Sequence, residues 1–238
     1  MGTNHNPRRR PQYVTEFKHN LELINSPSEL NASSRNGRWV RLLPVNPSMI
    51  GFLYSLSIDE WVGPRWRFGG SIPPLDQFEQ LLNAGVTSQF VIQEKSTEHL
   101  LGHVQGYNFD FNNGYGYIGI AMTRESALTG LGIEAGFLFV KYIFETFSLR
   151  KLYLEIPAFN MTTVSSIANV AKLEGHLADH LYYNGHYWDR FTFALYKDTF
   201  IGKSLRDIWH SIRTQQIDSG FVNNKKDLRA SAKNTKGE

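Results

Sequence analysis

The segment 133–147 (IEAGFLFVKYIFETF) constrains this chain more than any other. Its helical spacing is apolar nearly all round, so a helix formed there has almost no face to give to water and must be largely buried. Three strand-like runs lie upstream: 88–95 (SQFVIQEK), 100–111 (LLGHVQGYNFDF) and 115–122 (YGYIGIAM). The first two flank a polar turn, and Asn112, Asn113 and Gly114 form a hairpin signal between the second and third. Downstream, 150–156 (RKLYLEI) reads as a strand and 161–172 (MTTVSSIANVAK) as a helix. The runs 177–184 and 187–197 read as two closing strands around Asn184-Gly185.

The rest of the chain fits around these elements. Residues 38–45 (RWVRLLPV) alternate as a first strand, and 48–58 has helical apolar spacing after Pro47, which sits where a helix can start. An aromatic and basic loop, 59–72 (DEWVGPRWRFGGSI), leads to a short amphipathic helix with Leu75, Phe78, Leu81 and Leu82, capped by Gly85. A last amphipathic helix over about 201–213 puts Ile201, Leu205, Ile208 and Ile212 on one face. The order β-α-α-β-β-β-α-β-α-β-β has no internal repeat. It predicts a mixed sheet with a few helices, in one domain.

Charge separates the body from its ends. The net charge is +3 and the pI near 9.0, which invites a nucleic-acid or membrane reading. Residues 1–12 contribute +3 and residues 216–238 contribute +2, whereas 13–215 hold 17 basic and 19 acidic residues, a net of −2. Both ends are poor in large apolar residues and cannot offset the entropy of ordering. The expected division is therefore an N-terminal extension over 1–37, partly disordered, one domain over 38–198, an amphipathic helix over 199–215 and a basic flexible tail over 216–238. Binding of nucleic acid through the tails has no recognition motif behind it. Arg8–Arg10 are not followed by an apolar run, and the longest apolar stretch, Ala135 to Val140, is far short of a membrane span of about 20 residues. A soluble cytoplasmic protein is expected. The chain has no cysteine, which excludes disulfides, thiolate zinc sites, iron–sulfur clusters and a cysteine nucleophile. His176, His180 and His186 have no metal-ligand spacing.

Gly130-Leu131-Gly132 lies between a predicted strand and the apolar helix. Glycines let the backbone approach an anion, and the first helical turn offers unpaired N–H groups and a positive dipole end. No Gly-Lys-Ser/Thr follows, and the preceding strand comes from a hairpin, so neither a Walker loop nor a dinucleotide fold is indicated.

The run Tyr117 to Ala135 resembles the central motif of the GNAT acyl-CoA N-acyltransferases, closest to the branch like the ribosomal-protein N-terminal acetyltransferases. Gly119, Gly130, Gly132, Glu134 and Ala135 match without a gap, and Ala127 stands where that branch has Arg or Gln. Asn160-x-x-Thr163, Leu173-Glu174-Gly175, and Asn184-Gly185 with Tyr187 and Asp189 resemble its later motifs, so the similarity covers roughly 38–198. The resemblance implies an α+β fold, three-layered, in which a mixed, mostly antiparallel sheet flanked by helices splays after its fourth strand and holds an acyl-CoA in the splay, most simply acetyl-CoA. The pyrophosphate would meet amides around Leu128, Thr129, Gly130, Leu131, Gly132 and Ile133, and the pantetheine would pair with Ile120 and Met122. Asn160 is assigned to the same cofactor. The implied reaction is direct attack of a primary amine, on a protein N-terminus or a small molecule, on the thioester. Transfer of a longer acyl chain is the alternative, and the protein is expected as monomer or homodimer.

The catalytic groups stay open at this point. Tyr117 stands where many members carry a Glu base, and Val170-Ala171 where they carry Gly-Phe. These departures leave room for a GNAT-like module that binds acyl-CoA or a partner with little turnover. His103 has the most suitable chemistry for a base, with Asp110 and Glu60 as further candidates and Glu155 read as a strand-face carboxylate. Thr163 or Ser166 would hydrogen-bond the leaving sulfur. The loop 59–72 holds guanidiniums for an acceptor carboxylate or phosphate, and its Trp residues either wall the acceptor groove or pin the loop.

Overall fold

The computed structural model of the chain describes residues 35–127, 129–160 and 170–214. Outside them lie the expected disorder of the two tails, most of the helix expected over 161–172, and the assignments to Leu128, Thr163 and Ser166.

Turn chemistry builds the middle of the sheet. Strand β3 (Leu100–Asp110) turns into β4 (Tyr115–Met122) through a loop in which the Asp110 carboxylate accepts from the Asn113 amide at 2.9 Å and from its side chain at 2.8 Å. Gly114 closes the turn at φ 69°. Strand β2 (Val86–Glu94) joins β3, and β1 (Val40–Pro44) joins β2, all antiparallel. Strands β5 (Lys151–Pro157), β6 (Lys172–Tyr183) and β7 (His186–Tyr196) complete one seven-stranded sheet in the order β1-β2-β3-β4-β5-β7-β6. Asn184 and Gly185 both take positive φ, 51° and 80°, the conformation a two-residue hairpin needs to match strand twist.

Helices cover both faces. Helix α1 (Ile50–Ile58) follows a 3₁₀ turn over Pro47–Met49, α2 is Leu75–Asn83, and α3 is Leu131–Thr146. Successive strand residues point to opposite faces: Ile92, Val104 and Met122 face α3 with its Ala135, Leu138, Phe139 and Ile143. Val91 packs with Leu53, Phe78 and Leu82 of α1 and α2, and Ala121 with Leu56, Val62 and Trp66 of α1 and the following loop. The α+β three-layer expectation holds.

Two boundaries differ from the sequence reading. β6 begins at Lys172, where the helical reading of 161–172 ended, and not at 177. It is the sheet's edge strand and mostly exposed, so its sequence carries no alternating apolar signal. The helix expected over 201–213 is two pieces, α4 (Lys197–Phe200) and α5 (Leu205–Thr214), separated by Gly202 at φ 94°. Ser204 and Asp207 then cap α5 reciprocally, with Ser204 N donating to Asp207 Oδ2 at 2.7 Å and Asp207 N to Ser204 Oγ at 3.2 Å. Ile201 is consequently 48% exposed and off the helix, whereas Ile208 is buried in the core.

Candidate active site

The sheet splits between β4 and β5. These parallel strands pair only at Tyr115–Lys151, Gly116–Leu152 and Tyr117–Tyr153. β4 runs on to Met122, while β5 runs on to Pro157 paired with β7 along its whole length. Beyond Tyr117 the β5-facing edge of β4 has no strand neighbour among the described residues, leaving a wedge whose backbone groups can receive an extended ligand.

At the far end of β4 the chain bends into α3. Thr129 Oγ1 donates to Ser126 O at 2.7 Å, and Gly130 forms the helix N-cap at φ 85° with no side-chain cap. A Cβ on Gly132 would lie 3.2 Å from Met122 Cγ, so the first turn of α3 sits directly on the end of β4. This is a helix N-terminus with a glycine-lined approach, suited to an anion. Leu131 and Met122 are buried, and Ile120 packs on the core, so their backbones and not their side chains are available to a ligand. Ile133 likewise packs against the core, and the Thr129 hydroxyl is engaged within the turn. Asn160 ends the 3₁₀ turn Ala158–Asn160 on the opposite lip, directly after β5.

Glu134, matched only as a motif residue, is buried in the first turn of α3. Its carboxylate accepts from the amides of Arg38, Trp39 and Val40 at 2.7, 3.0 and 3.0 Å. It is a structural clasp between α3 and the start of β1.

The face opposite α3 carries a tyrosine ladder in register across three strands, Tyr107, Tyr117 and Tyr153. The ring centroids of Tyr107 and Tyr117 are 5.7 Å apart, and those of Tyr117 and Tyr153 5.3 Å. Burial pushes the Tyr107 hydroxyl up to about 12, with Glu155 adding to it. Burial and Glu155 raise Tyr117 as well. Glu155 is ion-paired with Arg190, which also contacts His180 at 3.1 Å. Lys151 Nζ lies 2.7 Å from Glu174, whose carboxylate also accepts from Tyr153 and Tyr196. Those three donors hold Glu174 at about 2, Lys151 first among them.

The proposed bases are placed elsewhere. His103 is fully buried, with Nε2 3.1 Å from Gln89 Oε1 and the Trp66 ring lying edge-on at 5.5 Å. Burial, reinforced by Arg67, pushes it down to about 3, so it is neutral and shielded from an incoming amine. The sequence reading of His103 as the base is corrected to a core residue; its strand position alone did not reveal that Trp66 would close over it. Asp110 is engaged in the β3–β4 turn, and Glu60 is exposed at the start of its loop. Tyr117 lies where β4 and β5 part, and burial with Glu155 keeps its hydroxyl protonated at neutral pH.

The loop 59–72 is pinned to the sheet, as one of the two readings of its Trp residues expected. Asp59 Oδ1 accepts from the amides of Trp61 and Val62 at 2.8 Å each, and buried Trp66 pins the loop to the sheet. A Cβ on Gly119 would come within 2.9 Å of Trp66 Cζ3, which accounts for the glycine there. Arg65 instead reaches out, its guanidinium 4.9 Å from the Trp61 ring centroid and 5.4 Å from that of Phe159, just past β5. Among the described residues, no group of His, Asp or Glu could hold a metal, and no helix is long and apolar enough to cross a membrane. His176 pairs with Asp189 at 2.7 Å, a carboxylate partner the sequence reading did not give it.

No family model and no curated relative matches the sequence. Solved structures do match in shape. A spermidine N-acetyltransferase from Vibrio cholerae, in complex with CoA and spermine, superposes with a TM-score of 0.62 at 19% identity, covering 68% of this chain and 98% of that one. RimL, a ribosomal L7/L12 alpha-N-protein acetyltransferase in complex with coenzyme A, gives 0.59 at 16% identity, covering 68% of this chain and 97% of that one. The chain therefore has the fold of the GNAT N-acetyltransferases, as the resemblance implied.

Proposed function

We propose that the chain is an acyl-CoA-dependent N-acyltransferase, most simply one that transfers acetyl from acetyl-CoA to a primary amine in the cytoplasm. The observation that carries this is the end of β4–β5 pairing at Tyr117–Tyr153, with the glycine-capped start of α3 at the far end of the exposed β4 edge. The named activities of the similar folds, and the CoA in two of them, support the same reading. Backbone amides around Gly130, Leu131 and Gly132 and the positive end of α3 meet the pyrophosphate. The free edge at Ile120 and Met122 aligns the pantetheine. Asn160 contributes from the other lip. The amine attacks the thioester carbonyl, the C–S bond breaks, and the ammonium loses one proton while the thiolate gains one. Holding amine and thioester together supplies most of the acceleration.

Tyr117, protonated at neutral pH, donates toward the leaving sulfur. Among the described residues no unpaired carboxylate stands beside it, since Glu155 is held by Arg190. Water therefore takes the ammonium proton. That favours an α-amine of pKa about 7.7–8.0 over a lysine amine near 10.4.

The absence of a placed base also favours a second reading, a module that binds acyl-CoA with little turnover. Acetyl-CoA and a panel of amines, followed by free-thiol release and by melting temperature, separate the two. Thiol release supports the enzyme. Melting elevation without thiol release from any amine supports the module. No elevation at saturation removes both, because ligand at 100 times its Kd adds about 2.7 kcal/mol.

A further inference from the structure

We infer that Arg65 anchors an oxyanion on the acceptor, so that the preferred substrate is an amine bearing a carboxylate or phosphate and not a polycationic amine. The inference rests on the acyltransferase reading and specifies its acceptor. The guanidinium lies between a ring of the loop, Trp61, and a ring just beyond β5, Phe159. It therefore joins the loop 59–72 to the segment just beyond β5, where the acceptor is proposed to enter. Ring contacts use the faces of the guanidinium and leave its in-plane donors for hydrogen bonds. Nη1 donates to Trp61 O at 2.6 Å, and the remaining donors have no partner among the described residues.

Apart from exposed Glu60, the neighbouring charges are committed. Arg67 donates to the carbonyls of Leu81 and Ala84 and to Gln105. Arg190 holds Glu155, and Lys151 holds Glu174. Asp59 accepts from two amides, and exposed Glu60 makes no ion pair with Arg65 among the described residues. Beside that exposed carboxylate, Arg65 is the half-buried charge with open donors, positive and forked. A fork suits a carboxylate or phosphate, and half-burial between aromatic rings strengthens such a contact. Among the described residues of this loop a polyamine finds only exposed Glu60 as an open carboxylate, and no half-buried one, in contrast to the polyamine that the Vibrio cholerae neighbour's name says that protein acts on.

The test measures kcat/KM with acetyl-CoA for matched pairs: an amino acid against its amide, and ethanolamine phosphate against ethanolamine, with spermidine as a third arm. Wild type is expected to favour at least one anionic partner by about tenfold to a hundredfold, mainly through KM, as a charge-assisted hydrogen bond would give. The pair that shows it tells carboxylate from phosphate. Arg65→Gln should bring the ratio near one while keeping the melting elevation by acetyl-CoA, and Arg65→Lys should keep part of it. Ratios near one in wild type, a preference for spermidine, an unchanged ratio in Arg65→Gln, or acetyl-CoA binding with no turnover of any amine each overturn the inference and leave the cofactor reading intact. No melting elevation by acetyl-CoA overturns the acyltransferase reading itself. If Arg65→Gln does not fold, the wild-type ratios and Arg65→Lys still decide.

Discussion

Glu134 Oε2 lies 3.0 Å from the amide nitrogen of Val40, and through it the first turn of α3 is tied to the first strand of the sheet. The same carboxylate serves the amides of Arg38 and Trp39. Burial pushes its pKa up, and the three amides pull against that. Glu134→Ala leaves three donors at a largely buried site without an acceptor. A stability loss of about 3 kcal/mol is expected, given roughly 1–3 kcal/mol for each buried group left unpaired and some rehydration. In a chain of this size that is a fall of about 10 °C in Tm. Gly37→Ala should act in the same direction, since its Cβ would stand 2.6 Å from Glu134 Cδ. Urea midpoints of the two variants check this; an unchanged midpoint for Glu134→Ala refutes the clasp.

His103 should make the protein acid-sensitive well above the carboxylate range. Its folded pKa is pushed down to about 3 from 6.5, so below about pH 6.5 the unfolded chain binds a proton that the folded one refuses. The folded pKa is depressed, hence the stabilisation is complete above 6.5 and is lost as pH falls toward 3. The expected slope is about 1.4 kcal/mol per pH unit. Glu174, held at about 2 by its donors, adds a similar loss only below its ordinary value of 4.5. Between pH 6 and 5 the slope therefore belongs to His103, and His103→Gln should flatten it. Unfolding curves at pH 5, 6 and 7 for both proteins decide; equal slopes refute the assignment.

Gly130 caps α3 at φ 85°, a conformation that L side chains rarely adopt. Gly130→Val should cost about 1–2 kcal/mol in backbone strain. It should also abolish the melting elevation given by acetyl-CoA, by closing the approach to the amides of α3. A variant that folds and keeps the elevation would place the pyrophosphate elsewhere.

The sequence made the central scaffold legible because its signals are local. Asn112-Asn113-Gly114 and Asn184-Gly185 mark their turns by residue type, and the apolar run 133–147 allows little besides a buried helix. Gly130 and Gly132 were visible as a phosphate-type turn for the same reason. The fate of His103 was not legible, because it depends on Trp66 folding down from a loop 37 positions earlier. The pairing of Glu155 with Arg190 was equally hidden, since it joins strands whose register is set by β5–β7 pairing and not by spacing in the chain. The start of β6 was missed because an exposed edge strand carries no alternating pattern. Arg65 was visible as a cation in an aromatic loop, but its bridge to Phe159 spans 94 positions of sequence.

Tyr117 is the last residue of β4 that still pairs with β5, which puts its hydroxyl where the two strands part. Burial and Glu155 hold it protonated at neutral pH, whereas a thiol leaves near pKa 8.5. It can therefore donate to the departing sulfur but cannot accept the proton of the ammonium. Tyr117→Phe should lower kcat by about a hundredfold, the lower end of what a positioned proton donor contributes. KM for acetyl-CoA should stay within a few-fold, because the backbone edge proposed to bind it is untouched. With His103 buried and Glu155 paired, the wild-type pH profile of kcat/KM should show no limb near 6.5. It should rise with unit slope until the acceptor amine is neutral, near pH 8 for an α-amine, and then stay flat toward pH 10. An acid limb near 6.5 that persists in His103→Gln would point to a base among other residues, and an unchanged kcat in Tyr117→Phe would remove the hydroxyl from the reaction.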